Sequence, residues 1–589
     1  MTLEANLRTL ENMGLIRLDR VEPEPEFVFR HALLQEAAHN SLLKNEQREL
    51  HRQVGEVLES LYADRLESIA VMLAQHFKLG EDYPRALKYF TAAAEAAARQ
   101  YALSEALDLY NQAIALAQEI GAPYAVLLCS RAEVNEIAGE IDRSLADLEA
   151  ALAAARQDGD TAEEWQVLIN LAMLWASRNY EMTRAYLDLA LERARANGDP
   201  RQIAHTLNRV GNWHLNIDEP NAAQRYHGES LVLFNELDDR HGLAETLDLL
   251  GMANGLSGDM HQATSYFEKA IPIMREINDI RGLSSALTTS SFQNTVLETD
   301  LLLSSRQPLT EGLKTVSEGL NLTWQISFPA GEAYSLFVKA QIEESMGDYG
   351  QAQAEAELSY QIANEIGHDQ WILASSMILG GLHLALFESD RAIPYLERGF
   401  ELGQSTRSIN FFRGVAGFLA RAYLFENRLE DADRVLDESL RGVSQAVTIG
   451  QRVSWAARGE LALARGDPEQ TLRIIDLLNR DARLRLPGRV PPRVGLLHAQ
   501  ALAHLERYEK AGQVLRMAQE ELEPQGNKSL LWHVFAQQGR LYRALGRLEE
   551  AERRLAAAGG LVTEIASTIS GEDRQAHFRE MALQHIFYP

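Results

Sequence analysis

Cysteine is almost missing from this chain: Cys129 is the only one in 589 residues. A single thiol cannot close an internal disulfide, so no cystine framework is expected, and the usage fits a reducing, cytoplasmic setting. In a helix, Cys129 reads as a small buried apolar residue. Long apolar runs are missing as well. No stretch of 18 or more apolar residues occurs, so no membrane-spanning helix is expected. The first twenty residues carry Glu4, Glu11 and Asp19 and lack the apolar core of a secretion signal. Lysine- or arginine-rich runs are absent, and a net charge of −27 repels nucleic acid unless a basic patch is segregated. Nothing matches the phosphate-cradling pattern G-x-x-x-x-G-K-[ST]. There is no H-E-x-x-H and no cysteine pair to hold zinc. Glu36 and His39 make one isolated Glu-x-x-His, whereas a di-iron centre needs two with further glutamates. No metal, no cofactor and no enzymatic activity are therefore expected.

What the chain does contain is alanine and leucine in quantity, with 46% apolar and 24% charged residues and only 16 prolines. That balance suits an all-α protein. Its length exceeds any single compact core, so several domains or a repeat array are expected. The stretch Ala244 to Ile277 shows which. Leu247, Leu250, Gly251 and Asn254 fall at helical spacing, Ala263, Phe267 and Ala270 do so again, and Gly258 between them permits the reversal. Small residues sit where two helices must approach, and bulky ones fill the space beside them.

This pattern recurs. The small residue of the second helix returns at Ala106, Ser144, Thr183, Ala223 and Ala263, then Gly312, Ala352, Ala392 and Ala432, then Thr471, Ala511 and Ala551. Successive intervals are 39 or 40, save 38 from Ala106 and 49 from Ala263. Twelve positions upstream lie Ala132, Gly211, Gly251, Ala340, Gly380, Ala420, Gly459, Ala499 and Gly539. The arrangement resembles tetratricopeptide (TPR) helix pairs. It implies a TPR-like superhelical solenoid of about a dozen pairs, in the long-repeat form of the maltose-regulon activator class and of spindle-orientation scaffolds. The surplus over the usual 34 residues is expected between pairs, in stretches such as 236–243 and 276–283, with longer helices ended by a glycine or Asn/Asp turn that caps the next. The 49-residue interval carries its excess near Val296 to Gln307. Its apolar Leu301-Leu302-Leu303 either folds back on the array or docks another domain.

Residues 1–65 depart from the repeat. Leu3–Met13 reads as a helix closed by Gly14. Ile16–Asp19 and Phe27–Arg30 read as strands around the turn-like Glu22-Pro23-Glu24-Pro25, with helices His31–Leu43 and Gln47–Leu61 after them. The order is that of a partial winged-helix element. Phe29-Arg30-His31-Ala32-Leu33, Gln35-Glu36-Ala37-Ala38, His51-Arg52-Gln53-Val54 and Leu58-Glu59 resemble the end of the STAND-type signalling ATPases that precede TPR arrays in bacterial transcription activators and ATPase-linked cyclases. The resemblance fails at His39, where those families usually show tyrosine. It implies an ATPase module upstream and a nucleotide-phosphate-reading role for His31; packing at the base of the wing is the alternative. A DNA-reading role is weaker, because Leu3–Met13 sets only Arg8 against Glu4 and Glu11.

The expected organisation is a partial winged-helix and ATPase-junction segment (1–65), irregular junction pairs (66–120), a regular array (121–560) and a C-terminal capping helix (561–589). Stacked pairs present an inner wall from their first helices. Register places Asn208, Asn212, Glu245, Asp248, Tyr334, Phe337, Gln341, Glu344, Arg421, Glu460, Gln500, Arg540 and Arg543 on it. Tyr334 and Phe337 could anchor a side chain or a sugar ring; the alternative is a solvated polar face. Two functions remain open: the sensor arm of a bacterial STAND-type signalling protein, taking a protein, peptide or small inducer, and a stand-alone scaffold for a peptide partner.

Overall fold

The computed structural model describes residues 3–20, 25–100, 102–176, 178–303, 306–485 and 489–587. Its repeat is a helix pair of unusual regularity. Pro200–Asn216, Pro220–Glu236, Arg240–Leu256 and Met260–Glu276 each hold 17 residues, with three-residue turns between them. Two such helices and two such turns make the period of forty. The surplus over the common repeat is therefore helix rather than linker: only residues 237–239 interrupt the stretch 236–243.

Local chemistry sets both ends of these helices. Asp199, Asp239, Asp259 and Asp279 stand at the N-caps, and each carboxylate accepts a hydrogen bond from a first-turn backbone N–H. One left-handed residue reverses the chain every twenty positions: Gly198 (φ 69°), Asp218 (68°), Asp238 (51°), Gly258 (80°) and Asn278 (55°). Glycine reaches that conformation without a Cβ clash, and Asp or Asn tolerates it best among the others.

The small residues lie where helices touch. A Cβ at Gly251 would sit 2.5 Å from the Phe267 ring, one at Gly380 would meet Leu396 at 2.3 Å, and one at Gly539 would meet Leu555 at 2.5 Å. Each bulky partner stands four residues after the small residue of the second helix, so the two marks in the register describe one contact. Gly251→Ala is expected to cost about 1–3 kcal/mol through overpacking. Gly228, mid-helix with nothing within 4 Å of a built Cβ, predicts the opposite: Gly228→Ala stabilises by about 0.5–1 kcal/mol through backbone entropy. Urea-unfolding midpoints of the two variants check both signs.

The chain divides into two compact units, residues 1–167 and 168–589. In the first, helix Leu3–Asn12 leads into an antiparallel hairpin, Ile16–Arg20 with Glu26–Phe29, in which Ile16 faces Phe29 and Leu18 faces Phe27. Residues 22–24 of the expected turn lie outside the described residues. Helices Ala32–Asn40 and Lys44–Leu61 follow. Of residues 3–61, only Ile16 and Gly55 are buried among those described, so the segment encloses no core of its own. Instead it leans on the first helix pair. Gly55 lies against the Phe77 ring, and Arg85 reaches Glu56 (2.9 Å) and Asp82 (2.6 Å). Tyr83–Arg99 and Leu103–Ile120 are both full-length helices. The twenty-residue step from Ala86 to Ala106 is thus one full helix with its turn. Cys129 lies half-buried in helix Ala125–Ile137.

The second unit is an all-α solenoid of tandem helix pairs, wound so tightly that its turns touch. Gln370 donates to Asn216 across 154 residues (3.0 Å), Tyr349 meets Ser529 across 180 (2.8 Å), and Arg413 pairs with Asp218 across 195. The last second helix runs to Thr568, past Ala558. Glu572–Phe587 then buries Phe578, Ala582 and Ile586. That terminal helix also reaches back, Arg574 bonding Glu388 at 2.8 Å. Among the described residues, no helix is long and apolar enough to cross a membrane.

Candidate ligand cavity in the array interior

The 49-residue interval holds the element that shapes the interior. Where Gly312 is due, the chain first makes a short helix, Val296–Leu301, and turns it inward. Thr299, Asp300, Leu301 and Leu302 are all at most 5% exposed. Of the two expectations for the leucine run, folding back is the one realised; Ser304 and Ser305 lie outside the described residues. Three distant repeats hold this insert. The buried Arg452 guanidinium donates to the Leu301 carbonyl (2.8 Å), and also to the carbonyls of Ala446 (3.0 Å) and Leu478 (2.8 Å). Arg493 donates twice to Asp300 (2.9 and 2.7 Å), and Asn527 donates to Thr299 at 3.2 Å. A charged donor spread over buried acceptors is among the stronger polar contacts a protein makes.

The insert leaves a cavity of about 230 Å³ on one side. First helices from Pro200–Asn216 to Ile449–Ala464 wall it, so residues more than 200 apart in sequence face one another. Its aromatic wall is a stack of Tyr334 on Trp371, with centroids 4.8 Å apart and planes inclined 20°. Phe292 stands edge-on to Tyr334, and Phe411 edge-on to both Phe337 and Trp371. Thr289 and the Tyr334 hydroxyl lie 3.1 Å apart. Besides the Thr295 and Tyr334 side chains, the polar groups are amides: Asn212, Asn216, Gln341, Gln370 and Asn410. Gln341 Oε1 and Asn410 Oδ1 are buried without a hydrogen-bond partner. Such orphaned acceptors cost about 1–3 kcal/mol each unless something donates to them. No charged side chain lines this cavity among the described residues.

A second cavity, of about 100 Å³, lies on the other face of the insert, and its wall is charged. It gathers Asp300, Glu344, Arg421, Glu460, Arg493 and His533. Arg421 pairs with Glu460 at 3.1 Å, and Arg493 with Asp300 as above. Burial, reinforced by the charge of Asp300, pushes the Glu344 carboxyl up to about 8.

Seven residues expected on the inner wall thus meet at these cavities: Asn212, Tyr334, Phe337 and Gln341 at the first, Glu344, Arg421 and Glu460 at the second. The others go elsewhere. Asn208 is fully buried between helices, donating to Thr246 (2.8 Å) and lying 3.2 Å from His227 Nδ1. Glu245 pairs with Arg209. Asp248 is 6% exposed with Oδ1 unpartnered, and burial lifts its carboxyl to about 8. Gln500 is half-buried outside both cavities, and Arg543 is exposed. Arg540 donates to the His585 carbonyl (3.0 Å) of the terminal helix. His31 is exposed at the N-cap of Ala32–Asn40, and its side chain makes no capping bond. The expected open groove is therefore mostly filled, because the winding and the inward insert occupy it.

Register reasoning missed Trp371, Phe411, Asp300 and Arg493. Arg493 was within reach, since it stands six positions before Ala499 as Tyr334 does before Ala340. Trp371 and Phe411 sit in the first turns of their helices, where only the pitch of the solenoid decides what faces inward.

A tetratricopeptide-repeat family model matches residues 202–276, the two pairs that carry Gly211 with Ala223 and Gly251 with Ala263. No curated protein matches the chain. Among solved structures, the chain is similar to one from the crystal structure of the APC/C hetero-tetramer Cut9–Hcn1, with 13% identity, 85% of this chain and 96% of that chain covered, and a TM-score of 0.44.

Proposed function

We propose that residues 168–589 form the sensor arm of a cytoplasmic signalling protein, holding a small uncharged molecule in the amide- and aromatic-lined cavity. The observation that carries this is the pairing of the Tyr334–Trp371 stack with two orphaned acceptors, Gln341 Oε1 and Asn410 Oδ1. A flat apolar face suits the stack, and hydroxyl or amide donors on its rim satisfy the acceptors. A wall without charge favours a ligand without charge, since nothing there repays the desolvation of an ion. The cavity spans several repeats, so an occupant that binds one winding of the solenoid better than another shifts the array between them. Resemblance of residues 29–59 to the end of STAND-type ATPases supports an ATPase module as the recipient of that shift. Repeat arrays of this type also offer outer surfaces to protein partners. The alternative of a peptide laid along the inner wall is less well supported, because the insert fills that channel.

Calorimetric titration of the whole chain with adenosine, uridine and a neutral disaccharide tests the reading. At least one of these is expected to bind, with affinity falling on the order of tenfold or more in Trp371→Ala. If none binds more tightly than about millimolar, or if binding survives both Trp371→Ala and Asn410→Ala, the reading fails.

A further inference from the structure

The charged cavity has a use of its own. Its wall carries three carboxyl groups, Asp300, Glu344 and Glu460, against two guanidinium groups, Arg421 and Arg493. Each arginine is already committed, Arg493 to Asp300 and Arg421 to Glu460. Glu344 is left over. It is 6% exposed, lines the cavity, and its carboxyl makes no hydrogen bond or ion pair among the described residues. The remaining polar groups of the wall are His533, Tyr349 and Ser529. Desolvation and nearby cationic groups keep the His533 imidazole neutral, and the hydroxyls of Tyr349 and Ser529 bond each other at 2.8 Å. The wall thus holds one carboxyl more than its guanidinium groups answer. Leu384, Phe418, Phe425 and Leu530 supply apolar surface beside it.

We propose that this cavity binds a small primary amine, its ammonium seated at Glu344 and its short alkyl tail against Leu384, Phe418 and Leu530. Charge decides the class. An ammonium can ionise Glu344 and pair with it, whereas an anion meets a wall whose two arginines are already engaged. A neutral alcohol offers the Glu344 carboxyl a hydrogen bond but no ion pair. Volume decides the size, because about 100 Å³ admits a chain of a few heavy atoms and no larger polyamine. The cavity shares only Leu297 and Val453 with the uncharged one, and its ligands belong to a different class, so the two proposals fail independently.

The carboxyl of Glu344 is held largely protonated at neutral pH by burial and by Asp300. An arriving ammonium ionises it, and the proton leaves to solvent while the amine keeps its own. Titration of the whole chain with n-butylamine, n-butanol and n-butyrate at pH 7, in two buffers of different ionisation enthalpy, reads both affinity and proton release. The expected result is binding of butylamine with release of close to one proton per site, and at least about tenfold weaker binding of the other two. Glu344→Gln, which keeps the shape of the protonated acid, is expected to weaken butylamine at least about tenfold and to abolish the proton release. Butyrate or butanol binding as well as the amine, no amine binding, no proton release from the native chain, or unchanged affinity in Glu344→Gln would each overturn the proposal.

Discussion

Arg413→Met is expected to destabilise the 168–589 unit by about 3–5 kcal/mol, the cost of stranding one partner of a buried ion pair. Arg413 links two successive turns of the solenoid through Asp218, whose side chain is 1% exposed. Burial already pulls the guanidinium down to about 10, so the pair exists only because each charge answers the other. Without the arginine, Asp218 retains one donor, Gln451 Nε2 at 2.9 Å. Asp218 is the left-handed residue (φ 68°) in the turn after Pro200–Asn216, so the contact also anchors that reversal. The pair is testable as a pair. Adding Asp218→Asn to Arg413→Met is expected to recover part of the loss, and strictly additive costs in urea unfolding would show that the contact is not the clamp described. Hydrogen exchange should localise the loosening to Pro200–Asn216 and Ile409–Phe425.

The second large effect is a stabilising contribution from two buried carboxyls that is lost as pH rises through neutrality. Burial raises the Asp248 and Glu344 carboxyls to about 8, nearby carboxylates assisting. An acid whose folded value exceeds its unfolded one binds more protons in the native state. Its stabilising contribution is complete below the unfolded value and is lost as pH climbs toward the folded one. For Asp248, the span from about 4 to pH 7 amounts to roughly 4 kcal/mol at 1.36 per unit. Glu388 works in the opposite sense. Although burial opposes it, hydrogen bonds from His383 and Arg574 hold its carboxyl at about 2, so its contribution is lost only in strong acid. Buried histidines such as His227, held down to about 3, and His368, held down to about 4, also add stability as pH rises, so the Asp248 contribution is read by difference against a variant. Asp248→Asn should match the native chain near pH 4 and exceed it at pH 7.5. Thermal melts at the two pH values decide the matter, and equal pH slopes for the two proteins would refute it.

Asp248 also shows why the interior was harder to read than the repeat. Register put it on the inner wall beside Glu245, which names a face of the helix and no more. Whether that face meets water, a cavity or the next turn is not a property of the helix. Tyr334, Gln341 and Arg421 were found by position, six before or one after the packing residue; Glu245 and Gln500 hold the same positions and reach neither cavity. Asp300 could not be found that way, since the insert that carries it belongs to no repeat. His31 illustrates the reverse, a residue singled out by resemblance that the fold leaves exposed at a helix start.

Forty-residue cadence, helix caps at Asp199 to Asp279, the left-handed turn every twenty positions and the Gly251–Phe267 type of contact all rest on interactions within a pair or with its neighbour. A string of residues carries such short-range terms openly, and so the solenoid could be read from it. Pitch is different. It accumulates from a small rotation at each of many stacked pairs, and no single position encodes it. Only the folded chain therefore decided that Asn216 meets Gln370, that Arg413 meets Asp218, and that Val296–Leu301 turns inward to divide the interior into one neutral and one charged chamber.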